Sequence, residues 1–161
     1  VRGWGVALIA TQPKLALKKR LSLIRPLADD ANPGVRETAW IMLRPHVAED
    51  LSLALDLLMR WTDDSSPNIR RYASEITRPR GVWCAHISDL RQKPELALEI
   101  LESLKADPSR YVQNSVANWL NDASKDRPDF VLKTTRRWEK ESGGPATAYI
   151  CRRARRTISK K

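Results

Sequence analysis

The chain has 161 residues, a length that fits one compact domain or one short repeat array. Its formal net charge of +10 predicts a polyanionic partner, with nucleic acid ahead of an acidic membrane surface. The alternative is a solvated basic surface that has no charged partner. Leucine and alanine dominate and glycine is scarce, which favours an all-α fold.

The cysteines and the hydropathy argue against two classes of protein. Cys84 and Cys151 are far apart and share no metal-ligand spacing with each other or with His46 and His86, so a structural zinc site is not expected. No apolar run reaches the length of a membrane-spanning helix, and no signal peptide pattern is visible. We therefore expect a cytoplasmic protein with free thiols, no metal or other cofactor and no membrane association.

Helical patterns follow one another along the chain, separated by turns rich in Asp, Asn, Ser, Gly and Pro. Asn32 with Pro33, and Ser66 with Pro67, each form a capping residue followed by a proline, the usual start of a helix. In chain order the predicted helices cover about 3–10, 13–27, 33–43, 50–58, 67–78, 94–105, 108–123 and 126–138, with a last, very basic helix after 145.

These helices form an internal repeat. The turns align when Val35, Ile69, Val112 and Ile150 are superposed, at intervals of about 34, 43 and 38 residues. Each unit is a helix, a tight turn and a second helix that opens on a β-branched residue, which resembles the HEAT repeat. The prediction is a right-handed α-solenoid of about four HEAT-like helix pairs that occupies residues 1–161 as a single domain, with second helices lining a basic concave groove. The start at Val1, inside a helical pattern, fits a fragment that lacks N-terminal helices.

The repeat register predicts which side chains share the groove. Positions two, six and nine after each aligned residue form a mostly polar stripe on the second helices, opposite the apolar face. The alternative interpretation is that these polar side chains form a ladder of hydrogen bonds between adjacent repeats. The stripe consists of Glu37, Arg71, Asn114 and Arg152, then Ile41, Glu75, Asn118 and Arg156, then Arg44, Arg78, Asn121 and Ser159.

A helix end within the stripe carries the candidate site. Arg71, Glu75 and Arg78 share one helix face, Pro79 stops the helix, and Trp83 follows in the longest interval between repeats. The neighbouring second helix brings Asp122 to the same wall. Alternatively, the charges form a surface ion network that contributes little, and the tryptophan packs in the core.

Two stretches resemble one known family. Residues 74–83, Ser-Glu-Ile-Thr-Arg-Pro-Arg-Gly-Val-Trp, resemble the motif Glu-Gly-Ser/Thr-Arg-Pro-Arg-Leu-Pro-Trp of the HEAT-like alkylpurine DNA glycosylases, in their AlkC branch. Residues 107–129 resemble the second signature of that family, and the likeness covers about residues 30–158. The resemblance implies hydrolytic removal of cationic alkylated purines, of the 3-methyladenine or 7-methylguanine type, from double-stranded DNA without a metal or redox cofactor.

The resemblance also implies roles for single residues. Glu75 and Asp122 match the active-site carboxylates of the family, and Trp83 matches its active-site aromatic residue. The sequence departs from the family motif at Ile76, where Gly is usual, and at Gly81 and Val82, where Leu and Pro are usual. Together, the match and the groove stripe predict DNA contacts by Arg71, Arg78, Arg80, Arg44, Asn118, Arg152 and Arg156.

A function of another class competes with catalysis. A non-catalytic HEAT module that binds DNA or an acidic protein would explain the charge and the repeats, although not the motif that ends at Trp83. We expect a monomer in either case.

Overall fold

The computed structural model describes residues 2–160, with side chains from Gly3 to Ser159. Within this range the chain is helical and contains no β-strand. The α-helices are α1 (Arg2–Thr11), α2 (Leu17–Ala28), α3 (Pro33–Glu49), α4 (Leu51–Met59), α5 (Pro67–Ile76), α6 (Ser88–Gln92), α7 (Leu98–Leu104), α8 (Arg110–Ala123), α9 (Pro128–Ser142) and α10 (Pro145–Ala154), and short 3₁₀ helices cover Pro94–Ala97 and Ile158–Lys160.

The helices stack as pairs. The second helices α3, α5, α8 and α10 pack against one another in sequence, and α1 packs against α2 and α3 at one end. The first helices α2, α4, α7 and α9 precede them. This arrangement confirms the predicted all-α solenoid of four HEAT-like helix pairs.

The repeated turns share one hydrogen-bonding pattern. In the first three repeats an aspartate accepts a hydrogen bond from the backbone N–H two residues later, as Asp64 does from Ser66 at 2.9 Å. The polar residue after the aligned position donates back to the carbonyl of that aspartate, as Arg70 does to Asp64 at 2.8 Å. Each turn therefore fixes the angle at which its second helix leaves, which keeps the groove wall in register.

Several element boundaries differ from the predictions. Lys14 has a φ of +59°, so the helix that was predicted to open at Pro13 begins at Leu17 instead. Helix α3 continues past Leu43 to Glu49 and includes Pro45. Helix α5 ends at Ile76, two residues before Arg78, and Ile76 is fully buried. Helix α6 was not predicted.

The described residues include neither a membrane-spanning helix nor a metal-binding cluster. No described helix is long and apolar enough to cross a membrane. No cluster of His, Cys, Asp and Glu side chains in the described part of the chain could hold a metal ion.

Candidate active site

An open groove of about 540 Å³ lies along α3, α5 and α8 and the loop that follows α5. Polar and aromatic side chains line it, including most of the predicted polar stripe of the first three repeats. The lining residues are Glu37, Trp40, Ile41, Arg71, Glu75, Arg78, Val82, Trp83, Tyr111, Asn114, Ser115 and Asn118.

Glu75 occupies the last turn of α5 with both carboxylate oxygens held. Arg78 Nη1 donates to Oε1 at 2.7 Å, and Ser115 Oγ, from the next repeat, donates to Oε2 at 2.6 Å. Arg71 Nη2 lies 3.7 Å from Oε2. Glu75 is only 3% exposed, yet it lines the groove. A carboxylate with donors on both oxygens has a fixed orientation, which is the property that a catalytic carboxylate needs.

Arg78 links the two predicted carboxylates. Its Nε and Nη2 lie 2.8 and 2.7 Å from Asp122 Oδ2, while its Nη1 reaches Glu75. Burial disfavours the guanidinium charge, but the adjacent Glu75 and Asp122 outweigh burial and raise the pKa of Arg78 above its ordinary value. Asp122 is buried, does not line the groove and also receives Lys125 Nζ at 3.3 Å. The expectation that both carboxylates face the groove is therefore met by Glu75 alone.

Trp83 lies at the lip of the groove. It is 92% exposed and has a left-handed backbone, with a φ of +63°. Its loop closes where the backbone N–H of Ile87 donates to Pro79 O at 3.0 Å. The interpretation of Trp83 as a packed core residue is therefore wrong.

Gly81 allows the loop to fold back on itself. A Cβ atom at this position would lie 2.1 Å from Cys84 Sγ and 3.1 Å from Arg44 Nε. A leucine, usual here in the resembled motif, would collide with Cys84 in this conformation. The difference from the family motif at Gly81 is therefore explained by the loop conformation that exposes Trp83, because this conformation leaves no room for a side chain at position 81.

Arg44 supports the same loop from beneath. Its Nε donates to Ala85 O at 3.0 Å and its Nη1 to Ile76 O at 2.7 Å, and its Nη2 donates to Arg78 O. The residue is buried, and this burial is the main reason that the pKa of Arg44 is lowered. The sequence predicts that Arg44 contacts DNA. In the structure its guanidinium instead donates hydrogen bonds to three backbone carbonyls, because α3 runs directly under the loop.

Arg80, another predicted DNA contact, is also engaged within the protein. It forms a bidentate ion pair with Asp126, at 2.8 and 3.0 Å, and Arg91 forms another bidentate ion pair with the same carboxylate at the same distances. Hydrogen bonds from Arg91 and then Arg80 hold the pKa of the Asp126 carboxyl well below its usual range. The motif loop is in this way tied to the turn between α8 and α9.

Arg71 lies on the groove wall over an aromatic ring. Its guanidinium carbon is 4.4 Å from the ring centre of Tyr111, and its Nη2 is 2.8 Å from Glu37 Oε1. Glu37 also accepts a hydrogen bond from Trp40 Nε1 at 2.9 Å. The predicted phosphate contact by Arg71 remains a prediction, and the guanidinium already has two carboxylate partners, Glu37 and, at 3.7 Å, Glu75.

Sequence reasoning did not nominate two residues of this site. Glu37 belongs to the aligned stripe and occupies in the first repeat the same position that Arg71 occupies in the second. This shared position was the signal in the sequence that the two side chains could meet. Ser115 lies one position beyond the stripe and meets Glu75 only because α5 and α8 pack together. Ser74 Oγ donates to Ser115 Oγ at 2.8 Å, which completes a short chain of hydroxyls behind the carboxylate.

The last repeat places basic side chains next to the groove. Arg156 Nη2 donates to Asn118 Oδ1 at 2.9 Å, which joins α8 to the segment after α10. Burial, followed by the nearby Arg153, lowers the pKa of Arg156. Arg110 and Arg152 lie 3.6 and 5.6 Å from the ring centre of Tyr149. Arg110, Arg152 and Arg156 form no ion pair with any described carboxylate, so their charges are not neutralised.

Comparisons with known proteins point to one family. The family model of the DNA alkylation repair enzymes matches residues 7–143. The uncharacterized protein YhaZ of Bacillus subtilis (strain 168) is 38% identical over 124 residues, which are 77% of this chain and 34% of that protein.

Solved structures resemble the whole described fold. The Pseudomonas fluorescens alkylpurine DNA glycosylase AlkC, bound to DNA containing an abasic site analog, superposes with a TM-score of 0.84 at 32% identity, over 99% of this chain and 42% of that one. AlkD2 from Streptococcus mutans superposes with a TM-score of 0.77 at 26% identity, over 96% and 72% of the two chains.

The chain spans about a third of the length of YhaZ and less than half of AlkC. The family match nevertheless covers most of this chain, and it includes the helix end at Glu75, the loop of Trp83 and the helix that carries Asp122. This chain belongs to the DNA alkylation repair enzyme family, whose structural relatives here are of the AlkC and AlkD type.

Proposed function

We propose that this chain is the glycosylase region of a DNA repair enzyme that hydrolyses the bond between the sugar and a cationic alkylated purine in double-stranded DNA. One observation carries the proposal: Glu75 is fixed on the wall of an open groove, with Trp83 exposed at the lip. The similarity to an alkylpurine DNA glycosylase supports the choice of substrate class.

The substrate makes acid catalysis unnecessary. A purine alkylated at N3 or N7 carries a positive charge, so it departs as a neutral base when the bond to C1′ breaks and the base keeps the electron pair. The sugar then develops oxocarbenium character, and water adds to C1′ and loses a proton. The enzyme needs to stabilise the cationic sugar and orient the water.

In the proposed mechanism Glu75 supplies both effects. Its negative charge would face the oxocarbenium, and an oxygen would accept a hydrogen bond from the attacking water. Arg78 and Ser115 hold the carboxylate so that it does not reorient as positive charge develops. Asp122 acts through Arg78, because it accepts hydrogen bonds from that guanidinium. Unlike a glycosidase pair, neither carboxylate needs to be a protonated acid.

Trp83 is proposed to contact the lesion. An exposed indole face can stack on the sugar or on the cationic base, and a cation–π contact stabilises by about 0.5–2 kcal/mol. The un-neutralised Arg110, Arg152 and Arg156 are proposed to bind phosphates beside the lesion, since phosphate contacts position a protein on DNA. A non-catalytic DNA-binding module would share these phosphate contacts but would have no use for a fixed carboxylate.

The test is release of free base from methylated DNA. The chain is incubated with duplex DNA that contains 3-methyladenine and 7-methylguanine, and free bases and abasic sites are counted. We expect equal numbers of free bases and abasic sites, at a rate above that of the DNA alone. DNA binding without release would show instead that this chain is a binding module.

A further inference from the structure

A second cleft, of about 520 Å³, opens between the first helices of the second and third repeats. It lies between α4 and the segment that runs from the 3₁₀ helix Pro94–Ala97 into α7, whereas the candidate active site uses α3, α5 and α8. Leu55, Met59, Ile100 and Leu96 give the cleft an apolar floor, and Leu96 is 48% exposed. A cleft with this lining presents apolar surface to solvent on a side that the proposed chemistry does not use.

The same cleft concentrates acidic side chains that have no partner. Asp56, Asp89 and Glu99 line it, all three are exposed, and none forms an ion pair or a side-chain hydrogen bond with any described residue. Among the described carboxylates outside the cleft, only Asp63 shares this property. On a chain with a net charge of +10, three unpaired carboxylates around one apolar floor reverse the local sign of the charge.

This reversal selects the kind of partner. Phosphates would be repelled here, so the cleft is not an extension of the proposed DNA surface. A metal ion is not favoured either, because no group of potential ligands in the described range is close enough together to hold one. An apolar floor with an acidic rim instead complements a segment with apolar side chains on one face and lysines or arginines on the other.

We propose that this acid-rimmed cleft docks a basic amphipathic helix of a protein partner. The partner's leucine-like side chains would enter between α4 and α7, and its lysines or arginines would meet Asp56, Asp89 and Glu99. Helix α4 has nine residues and is about 13 Å long, which suits an anchor pattern of i, i+4 and i+7. Because different helices line the groove and the cleft, DNA and the partner could bind together.

A synthetic amphipathic peptide with leucines on one helical face and lysines on the other is the probe. Backbone amide shifts of the isotope-labelled chain are followed during titration with this peptide. We expect the shifts to cluster at residues 51–59, 89 and 96–100, and we expect no saturable shifts with a peptide in which glutamates replace the lysines.

The variant Asp56→Asn/Asp89→Asn/Glu99→Gln should bind the peptide about tenfold more weakly, as expected for three solvent-exposed charge contacts. Asp63→Asn is the matched control, and it should bind like the parent chain. Shifts outside the cleft, equal binding by the triple variant, or equal binding of the glutamate peptide would each overturn the proposal. So would a concentration-dependent dimer that the triple substitution abolishes, because the cleft would then be occupied by a second copy.

Discussion

At the scale of single residues, the site is an ion network whose members hold one another in place. Arg78 donates hydrogen bonds to both Glu75 and Asp122, and Ser115 donates one to Glu75. Only a small part of this network is exposed to solvent at the groove wall. Buried charges persist in proteins when they are paired and hydrogen-bonded. The stability of the helix end and the orientation of Glu75 are therefore linked.

Arg78→Met should test that link. The change leaves Glu75 and Asp122 without their shared partner, and breaking a buried charge network destabilises by about 3–5 kcal/mol. Urea unfolding should show a loss of this size. Adding Glu75→Gln and Asp122→Asn to Arg78→Met should restore part of the stability, since no buried carboxylate then lacks its guanidinium partner. A triple variant less stable than Arg78→Met would contradict this explanation.

Ser115→Ala should separate orientation from charge. It removes one hydrogen bond from Glu75 Oε2 and leaves the Arg78 contact intact. The carboxylate can then reorient away from the position that the reaction needs, so single-turnover base release should slow by about tenfold or more while DNA affinity stays the same. Ser103→Ala, which removes a hydroxyl far from the groove, should react at the parent rate. An unchanged rate in Ser115→Ala would show that the serine has no role in catalysis.

At the scale of elements, the loop between α5 and α6 decides where Trp83 lies. Arg44 holds the backbone of this loop, Gly81 lets Cys84 fold under it, and the Arg80–Asp126 ion pair ties it to the next repeat. A loop held at three points can present an exposed aromatic side chain in one position.

Gly81→Ala tests this packing. The added methyl would overlap Cys84 Sγ, so the loop must shift and base release should fall by about tenfold or more. Removing the sulfur with Cys84→Ala in the same chain should restore most of the activity. Gly3→Ala is the matched control, because nothing lies within 4 Å of its added Cβ. Equal activity in all these variants would mean that the position of Trp83 is not set by this contact.

The sequence predicted the elements that repeat and missed helix α6, which has no counterpart in the other repeats. The spacing from Val35 to Ile150 predicted the helix pairs and the groove wall, since one register applies to every unit. Helix α6 lies in the longest interval, where no other repeat supplies a template. The partners of Arg44 and Arg80 were also missed, because their contacts join residues about 40 positions apart and depend on how the loop packs rather than on periodicity.

At the scale of the whole molecule, charge is divided between two surfaces. The second helices and the last repeat carry Arg110, Arg152 and Arg156, which form no ion pair with a described carboxylate, whereas the cleft between α4 and α7 carries the unpaired Asp56, Asp89 and Glu99. In the proposals above, the arginine-bearing face would bind DNA and the acidic cleft a basic protein segment.

Salt dependence should measure the DNA face. The logarithm of the affinity for duplex DNA should fall linearly with the logarithm of the salt concentration. Arg110→Gln/Arg152→Gln/Arg156→Gln should reduce the slope by about two to three if each arginine neutralises one phosphate. The cleft variant Asp56→Asn/Asp89→Asn/Glu99→Gln should leave the slope close to that of the parent chain. An unchanged slope in the arginine variant would place the DNA elsewhere.

Glu75 is proposed to perform the chemistry. The most direct measurement is single-turnover release of 7-methylguanine by the parent chain and by Glu75→Gln, with DNA affinity measured for both. The substitution keeps the shape of the side chain and removes its charge, so we expect base release to fall by at least a hundredfold, a few kcal/mol of lost transition-state stabilisation, at nearly equal DNA affinity. Base release by Glu75→Gln at the parent rate would mean that Glu75 does not perform the chemistry.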